Sequence, residues 1–295
     1  MKILNFGSCN IDYVYSLDHI VKEGETQTSL LLETFAGGKG LNQSLAAARA
    51  GAEVYHAGYI GSEGIFLKEI LKDSGADVSY MRETKEKNGH AVIQVSKNGE
   101  NSIFLYPGSN EMLTREYIDC VLNDFSPNDI VILQNEVNLV DYIVKKAFEK
   151  EMTVVLNPSP YNEKIENIDL NMLSYLILNE VEAEDITGNK SPDDCLEFFK
   201  RNHPNLSVVL TLGAKGSVFL SGEKRVFQPA YKVSVVDTTA AGDTFTGYFV
   251  AGIAKNEEIG EILKTSAFAA ALTVSKKGAA PSIPTLKEVL EAIKN

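Results

Sequence analysis

The chain has 295 residues, of which 44% are hydrophobic and 23% are charged, and its formal net charge is −12. This ordinary globular composition excludes a disordered, collagen-like or disulfide-rich chain. Because 40 acidic residues outnumber 28 basic ones and no block is rich in lysine or arginine, we expect neither a nucleic acid nor an anionic membrane as partner.

Short apolar, β-branched runs alternate with longer stretches of helical period, which is typical of an α/β fold with a mostly parallel central sheet flanked by helices. The predicted strands are Ile3–Phe6, Val54–Ala57, Ile130–Leu133, Val154–Leu156, Tyr175–Leu178, Val208–Leu212 and Val233–Val236. The predicted helices are Gly40–Ala50, Phe66–Asp73, Arg115–Asn123, Val140–Glu149, Asp193–Lys200, one from Thr244 onward, and one near Ile259 to Val274. No linker rich in Pro, Ser or Gly divides the chain, so we expect one domain over residues 1–295.

Two regions have strand character without a following helix, at about residues 12–35 and 89–106. Asn98-Gly99, at the centre of the second region, predicts a hairpin with a two-residue turn, because Asn-Gly accepts the positive φ angles of such a turn. The two regions could form a small sheet beside the main domain, whose exposed face would be covered by a substrate, a partner subunit or both. The alternative is that they are edge strands of the main sheet.

The three cysteines are far apart, and the four histidines stand singly, so neither a disulfide framework nor a metal-ligand motif is indicated. No apolar run approaches the ~18 residues that could span a bilayer. The first residues lack the long apolar region and cleavage site of a signal peptide. We therefore expect a cytoplasmic protein.

The segment Ala240-Ala241-Gly242-Asp243 lies between a predicted strand and a predicted helix. A helix N-terminus presents free backbone N–H groups with a partial positive charge, so this turn could bind a phosphate. A carboxylate there could accept the proton of a hydroxyl that attacks the phosphate, which would make Asp243 a general base. The alternative is that Asp243 only caps the helix.

A glycine-rich segment runs from Phe35 to Asn42, with Lys39 between glycines. Glycines let the backbone approach a ligand, and Lys39 and Asn42 offer hydrogen-bonding groups suited to hydroxyls. The spacing is not that of a P-loop, and no GxGxxG follows a strand, which argues against a nicotinamide-dependent dehydrogenase. A plain glycine turn is the alternative.

Six motifs in this order give the chain its resemblance to the ribokinase family of carbohydrate kinases, also called the PfkB family. They are Gly7-Ser-Cys-Asn-Ile-Asp12, Gly37-Gly-Lys-Gly-Leu-Asn-Gln43, Asn179-Glu-Val-Glu182, Thr211-Leu-Gly-Ala-Lys-Gly216, Asp237-Thr-Thr-Ala-Ala-Gly-Asp243 and Lys277-Gly-Ala-Ala-Pro-Ser-Ile-Pro284. The resemblance covers essentially the whole chain. It implies a ribokinase-like three-layer domain with a small β-sheet lid, and a homodimer formed through that lid.

The resemblance also implies roles for individual residues. Asp243 would be the base and would contact the substrate, with the backbone N–H groups of Ala240, Ala241 and Gly242 as the anion hole. Sugar hydroxyls would be held by Asn10, Asp12, Gly38, Lys39, Asn42 and Glu136. Asp12 could instead cap a turn, and Glu136 could be a solvated residue after a strand.

For the cofactors, the resemblance implies ATP, Mg²⁺ and an activating monovalent cation, usually K⁺. Asn179 and Glu182 would order Mg²⁺ and phosphate, although Asn179 could merely cap a helix. The nucleotide would contact Thr211, Gly213 and Gly216, and the positions that match the family's cation site are Asp237, Thr239, Thr273, Lys276, Gly278 and Ser282.

The implied reaction is transfer of the γ-phosphoryl group of MgATP to a primary hydroxyl of a small sugar, with O5 of D-ribose as the first expectation. Tyr13, Asn135 and Val137 are positions where the sequence departs from the family pattern, which leaves the acceptor open. A kinase of the same fold could act on a nucleoside, deoxyribose, fructose, another ketose or a sugar acid. A sugar-binding protein without turnover is the alternative from another class.

Overall fold

The computed structural model describes residues 1–294. Its strands are β1 (Ile3–Phe6), β2 (Asn10–Leu17), β3 (Leu31–Gly37), β4 (Val54–Gly61), β5 (Asp77–Thr84), β6 (His90–Ser96), β7 (Asn101–Tyr106), β8 (Ile130–Gln134), β9 (Thr153–Asn157), β10 (Tyr175–Asn179), β11 (Ser207–Thr211), β12 (Gly216–Ser221) and β13 (Lys224–Pro229). Its α-helices are α1 (Lys39–Arg49), α2 (Ile65–Asp73), α3 (Arg115–Leu122), α4 (Val140–Glu149), α5 (Glu163–Glu166), α6 (Glu180–Thr187), α7 (Pro192–Asn202), α8 (Ala241–Ala254), α9 (Ile259–Val274) and α10 (Leu286–Lys294).

The main sheet of the described residues has nine strands in the order β13-β12-β11-β10-β9-β8-β1-β4-β5. Neighbours from β5 to β11 pair in parallel, and β12 and β13 add an antiparallel edge. Successive residues of a strand face opposite sides: Ile130 joins the apolar core that includes α1, α8 and α9, whereas Val131 joins the core that includes α3, α4 and α7. This layered arrangement confirms the predicted α/β class and the mostly parallel sheet.

The two regions that lacked a following helix form a separate four-stranded sheet in the order β3-β2-β6-β7, which we call the lid. Strands β2 and β6 pair in parallel, and the other two pairs are antiparallel. The prediction of a small sheet beside the main domain is therefore confirmed, and the alternative of edge strands is wrong. Every residue of β7 is exposed.

The hairpin between β6 and β7 does not have the predicted two-residue turn. The Ser96 amide donates to the Glu100 carbonyl at 2.9 Å, which leaves three residues in the loop. Only Gly99 among them has a positive φ, of 82°. A left-handed glycine after an ordinary turn is the other common hairpin solution, and it keeps the twist of the flanking strands.

The predicted strand Val233–Val236 is also wrong. Val235 and Val236 are 65% and 62% exposed, and no strand of the described residues includes them. The amide N–H groups of Val236 and Asp237 donate to the carbonyl of Val274, at 2.8 and 3.2 Å. This segment therefore satisfies an otherwise free carbonyl at the end of α9 instead of extending the sheet.

Candidate active site

A cleft of about 240 Å³ opens where several parallel strands end. Ligands bind beyond the carboxyl ends of the strands in open α/β sheets, so its position fits that architecture. It brings together distant predicted site residues, and its lining is Lys39, Asn157, Ser159, Ile177, Leu178, Asn179, Glu182, Thr211, Thr238, Ala240, Ala241, Gly242, Asp243 and Thr246.

Helix α8 begins in this cleft without a side-chain cap. Ala240 precedes its first turn in the left-handed conformation, with φ of 61°. The first N–H groups of a helix have no partner within the helix, and the helix dipole makes them attract an anion. The alternative that Asp243 caps the helix is therefore wrong, because its carboxylate is engaged elsewhere.

The carboxylate of Asp243 is held by two neighbouring amides of α1. Asn42 Nδ2 donates to Oδ2 and Gln43 Nε2 donates to Oδ1, each at 3.0 Å. Asp243 is only 8% exposed. The two bonds fix the carboxylate at the mouth of α8, and a carboxylate is a group that can accept a proton.

Close packing of α1 on α8 makes these contacts possible. A Cβ at Gly247 of α8 would lie 2.4 Å from the Cβ of Ala46 and 2.7 Å from the carbonyl oxygen of Gln43, so only glycine lets the helices approach this far. Gln43 also accepts from Gln134 Nε2 at 2.7 Å. No role was predicted for Gln43 from the sequence, although its place beside Asn42 at the start of a helix was an available signal.

Glu136 follows β8 and reaches the glycine-rich segment. Its Oε2 accepts from the backbone N–H of Lys39 at 3.0 Å and from the hydroxyl of Ser8. Burial raises the pKa of Glu136, although Lys39 and Ser8 oppose this. Glu136 is therefore a half-buried, partnered carboxyl, not the solvated residue of the alternative. Ser8 is a second site residue that the sequence analysis did not assign.

The side chain of Lys39 lies among carboxylates. Burial lowers its pKa, but Asp243, Glu136 and Glu182 outweigh burial and raise the pKa above its ordinary value. Lys39 therefore keeps its positive charge between the carboxylates and the cleft, where it can attract a phosphate or a hydroxyl oxygen.

Asp12, in β2 of the lid, is 9% exposed. Burial raises its pKa to about 7, with further increases from the negative charges of Glu136 and Asp243. The negative charges of Glu136 and Asp243 thus add to the effect of burial on Asp12.

A second cavity, of about 100 Å³, lies on the lid side of Glu136. It is lined by Asn10, Leu105, Tyr106, Pro107, Asn110, Glu111, Asn135, Glu136, Pro160 and Lys164. Asn10 and Glu136 are shared with the predicted sugar site, and Leu105 and Tyr106 come from the lid. The cavity therefore lies between the main domain and the lid.

On the nucleotide side, Asn179 and Glu182 form a capping box at the start of α6. Asn179 Oδ1 accepts from the Glu182 amide, and Glu182 Oε2 accepts from the Asn179 amide, each at 3.0 Å. The capping role considered for Asn179 is therefore present, yet both side chains also line the cleft. Thr211 lines it too, whereas Gly213 lies in the turn that follows β11 and Gly216 is the first residue of β12.

Three of the residues expected at a monovalent cation site meet at Asp237. The amide and hydroxyl of Thr239 donate to Asp237 Oδ1 at 2.9 and 2.6 Å, and the Gly278 amide donates to Oδ2 at 2.9 Å. The hydroxyls of Thr273 and Ser282 donate to the Ala269 and Ala279 carbonyls, and Lys276 pairs with Glu288. Across residues 1–294, no group of three or more His, Cys, Asp or Glu side chains could hold a metal.

Comparison with known proteins agrees with this geometry. The pfkB family of carbohydrate kinases matches residues 1–286. The ribokinase of Haemophilus influenzae is 36% identical over 300 residues, which cover 98% of this chain and 97% of that relative. The structure of Cryptococcus neoformans ribokinase in complex with ADP has a TM-score of 0.87 at 36% identity and covers 99% of both chains. That of Arabidopsis thaliana ribokinase complexed with ribose and ATP has a TM-score of 0.86 at 31% identity, covering 100% of this chain and 98% of that one.

The chain therefore belongs to the pfkB family of carbohydrate kinases, and the resemblance predicted from its motifs is confirmed. It is an ATP-dependent sugar kinase. Within the described range, no helix is long and apolar enough to cross a membrane.

Proposed function

We propose that the protein transfers the γ-phosphoryl group of ATP to O5 of D-ribose, giving D-ribose 5-phosphate and ADP. The observation that carries this proposal is the position of Asp243, whose carboxylate is held by Asn42 and Gln43 at the uncapped start of α8. The ribokinases to which the chain is similar over almost its whole length support ribose as the acceptor.

The sugar would lie between the lid and the main domain. Asp12 and Glu136 are suited to accept hydrogen bonds from hydroxyls, and Asn10 and Lys39 to donate to hydroxyl oxygens. Asn42 Oδ1 is buried without a hydrogen-bond partner in the described structure. Because a buried acceptor without a partner is costly, a sugar hydroxyl is a fitting donor to it. The backbone at Gly38 would border the same sugar.

In the chemical step, Asp243 would accept the proton of O5 as O5 forms its bond to the γ-phosphorus. The bond from that phosphorus to the bridging oxygen breaks, and ADP leaves with the electron pair. The N–H groups of Ala240, Ala241 and Gly242 would stabilise charge on the transferred group. Closure of the lid would exclude water, which competes as a phosphoryl acceptor.

Asn179 and Glu182 would hold Mg²⁺ through water, and Thr211, Gly213 and Gly216 would border the nucleotide. The donor set fits, since Asn179 and Glu182 both line the cleft and carry side-chain oxygens, and Mg²⁺ prefers oxygen and water. Bound Mg²⁺ would neutralise phosphate charge. A monovalent cation such as K⁺ fits the oxygen-rich surroundings of Asp237, Thr239, Thr273, Lys276, Gly278 and Ser282, beside the start of α8.

We further propose a homodimer through the lid. Apolar side chains are exposed on its two edge strands, including Leu31, Leu32, Ile103 and Phe104. Exposed apolar side chains on an edge strand are typical of a protein interface. A second copy of the chain would cover these side chains. We also propose that the enzyme consists of one domain and is cytoplasmic.

The proposal is tested by measuring ADP formation with MgATP and K⁺ across ribose, deoxyribose, fructose, other ketoses, sugar acids and nucleosides, against a control without acceptor. We expect ribose to give the highest kcat/KM and a product phosphorylated at O5. A higher kcat/KM for another acceptor would overturn ribose and keep the kinase. Saturable sugar binding without ADP formation by the folded protein would favour the binding-only alternative.

A further inference from the structure

Asn110 lies outside the predicted site motifs, in the turn that follows the last lid strand, β7. It is 3% exposed and lines the second cavity beside Asn10. Asn110 Oδ1 accepts from the backbone N–H of Cys9 at 3.0 Å, and Asn110 Nδ2 donates to Asn10 Oδ1 at 2.7 Å. Asn110 therefore connects the strand that carries Asn10 to the turn after the lid.

These two bonds determine how the amide of Asn10 is oriented. A backbone N–H can only donate, so the end of Asn110 that faces Cys9 must be its oxygen. Its other end is then an NH₂ group, and the atom of Asn10 that faces it must be the oxygen. The NH₂ group of Asn10 is left for another partner, and none of the described residues accepts a hydrogen bond from it.

The surroundings are shaped for this contact. A Cβ at Gly89 would lie 2.1 Å from Asn110 Nδ2 and 2.6 Å from Asn10 Oδ1, so the two amides meet over a residue that must be glycine. Asn88, which precedes it, donates to the carbonyl of Cys9 at 2.9 Å. Both ends of the β6–β7 hairpin therefore hold Cys9 and Asn10.

We propose that Asn110 is a positioning residue for the sugar: it orients Asn10 so that the NH₂ group of Asn10 donates to a sugar hydroxyl oxygen. This inference rests on the proposed function, in which Asn10 contacts the sugar. A hydroxyl that accepts from Asn10 keeps its own proton free to donate to a neighbouring carboxylate, such as Glu136. Asn110 would thus favour acceptors that carry a hydroxyl at this point.

The test is a double-mutant cycle on the KM for ribose and on ribose affinity measured by calorimetry. Asn110→Leu keeps the side-chain size and charge but lets the Asn10 amide turn. We expect it to raise the ribose KM by about tenfold, the usual effect of misplacing one buried hydrogen-bond donor, with little change in the KM for ATP. In the Asn10→Ala background, the same change should have an effect of less than about twofold, because Asn110 acts through Asn10.

Asn88→Leu is the matched control, since Asn88 is similarly buried and also bonds to the backbone of Cys9, but makes no hydrogen bond to Asn10. Asn88→Leu should change the ribose KM by the same factor in the original protein and in the Asn10→Ala variant. If Asn110→Leu does not fold, Asn110→Ser replaces it in the cycle. An equal effect of the Asn110 change in both backgrounds would overturn this inference alone. An Asn10→Ala variant with unchanged ribose affinity would instead overturn the assignment of Asn10 in the proposed function.

Discussion

Gln43 Nε2 lies 3.0 Å from Oδ1 of Asp243, although the two residues are 200 positions apart in the chain. Gln43 donates this bond from the first turns of α1, and Gln134 in turn donates to Gln43 Oε1 at 2.7 Å. A buried amide network therefore orients the carboxylate that we propose as the base.

Asp243→Asn should reduce kcat by roughly 10²–10⁴, because the amide cannot accept the proton of the attacking hydroxyl. Steady-state ADP formation measures this, and sugar binding by calorimetry should remain within a few-fold of the original protein. Near-normal turnover of the folded variant would remove Asp243 from the role of base.

Gln43→Ala should reduce kcat by about 10- to 100-fold, since one hydrogen bond to a charged group contributes about 1.5–3 kcal/mol and here it orients the base. In an Asp243→Asn background the same change should cost much less. The two variants and their combination can be compared in one kinetic series. Equal losses in both backgrounds would mean that Gln43 does not act through Asp243.

The ribose KM should rise as the pH falls below about 7, because Asp12 must be ionised to accept hydrogen bonds from two hydroxyls and its pKa is raised to about 7. Asp12→Asn should raise the KM at neutral pH and remove this dependence. The ribose KM measured from pH 5.5 to 8.5 for both proteins tests it. A dependence that persists unchanged in Asp12→Asn would assign the titration to another group.

The raised pKa of Asp12 also affects folding stability. Stability should fall as the pH rises, whereas ribose binding should improve. The folded state binds a proton at Asp12 more tightly than the unfolded state, so this contribution to the free energy of unfolding is fully present below pH 3.8 and is lost as the pH rises to about 7. As the pH rises over that interval, the free energy of unfolding should fall less for Asp12→Asn than for the original protein. Urea unfolding at several pH values measures the difference, and parallel curves for both proteins would contradict it.

Phe104→Asp should convert the proposed dimer into a monomer, because it places a charge on the exposed apolar face of β7, where Phe104 is 57% exposed. Sedimentation of both proteins gives the oligomeric state directly. Phe148→Asp is a matched control, since Phe148 is similarly exposed on α4, far from the lid in the chain. A monomeric original protein, or an unchanged dimer of Phe104→Asp, would overturn the lid interface.

The alternation of apolar runs and helical periods correctly predicted the α/β class, and the positions of β1, α4 and α9 agree closely with the structure. Such periods arise because the residues that pack against a sheet recur at regular spacings along the chain. The prediction of a strand at Val233–Val236 was wrong because β-branched residues indicate an extended backbone but not whether a neighbouring strand edge is free to pair. The prediction of a two-residue turn at Gly99 was wrong because two turn types accept the same Asn-Gly pair.

The sequence by itself determined which chemical groups this protein carries, since motifs such as Ala240–Asp243 place an acid at a helix start through local spacing alone. Only the tertiary structure decided how those groups are oriented. Ser8, Gln43 and Asn110 form hydrogen bonds with residues about 100 to 200 positions away, and such contacts depend on how helices and the lid pack together. Hydrogen bonds demand atomic distances and directions, which no local periodicity specifies.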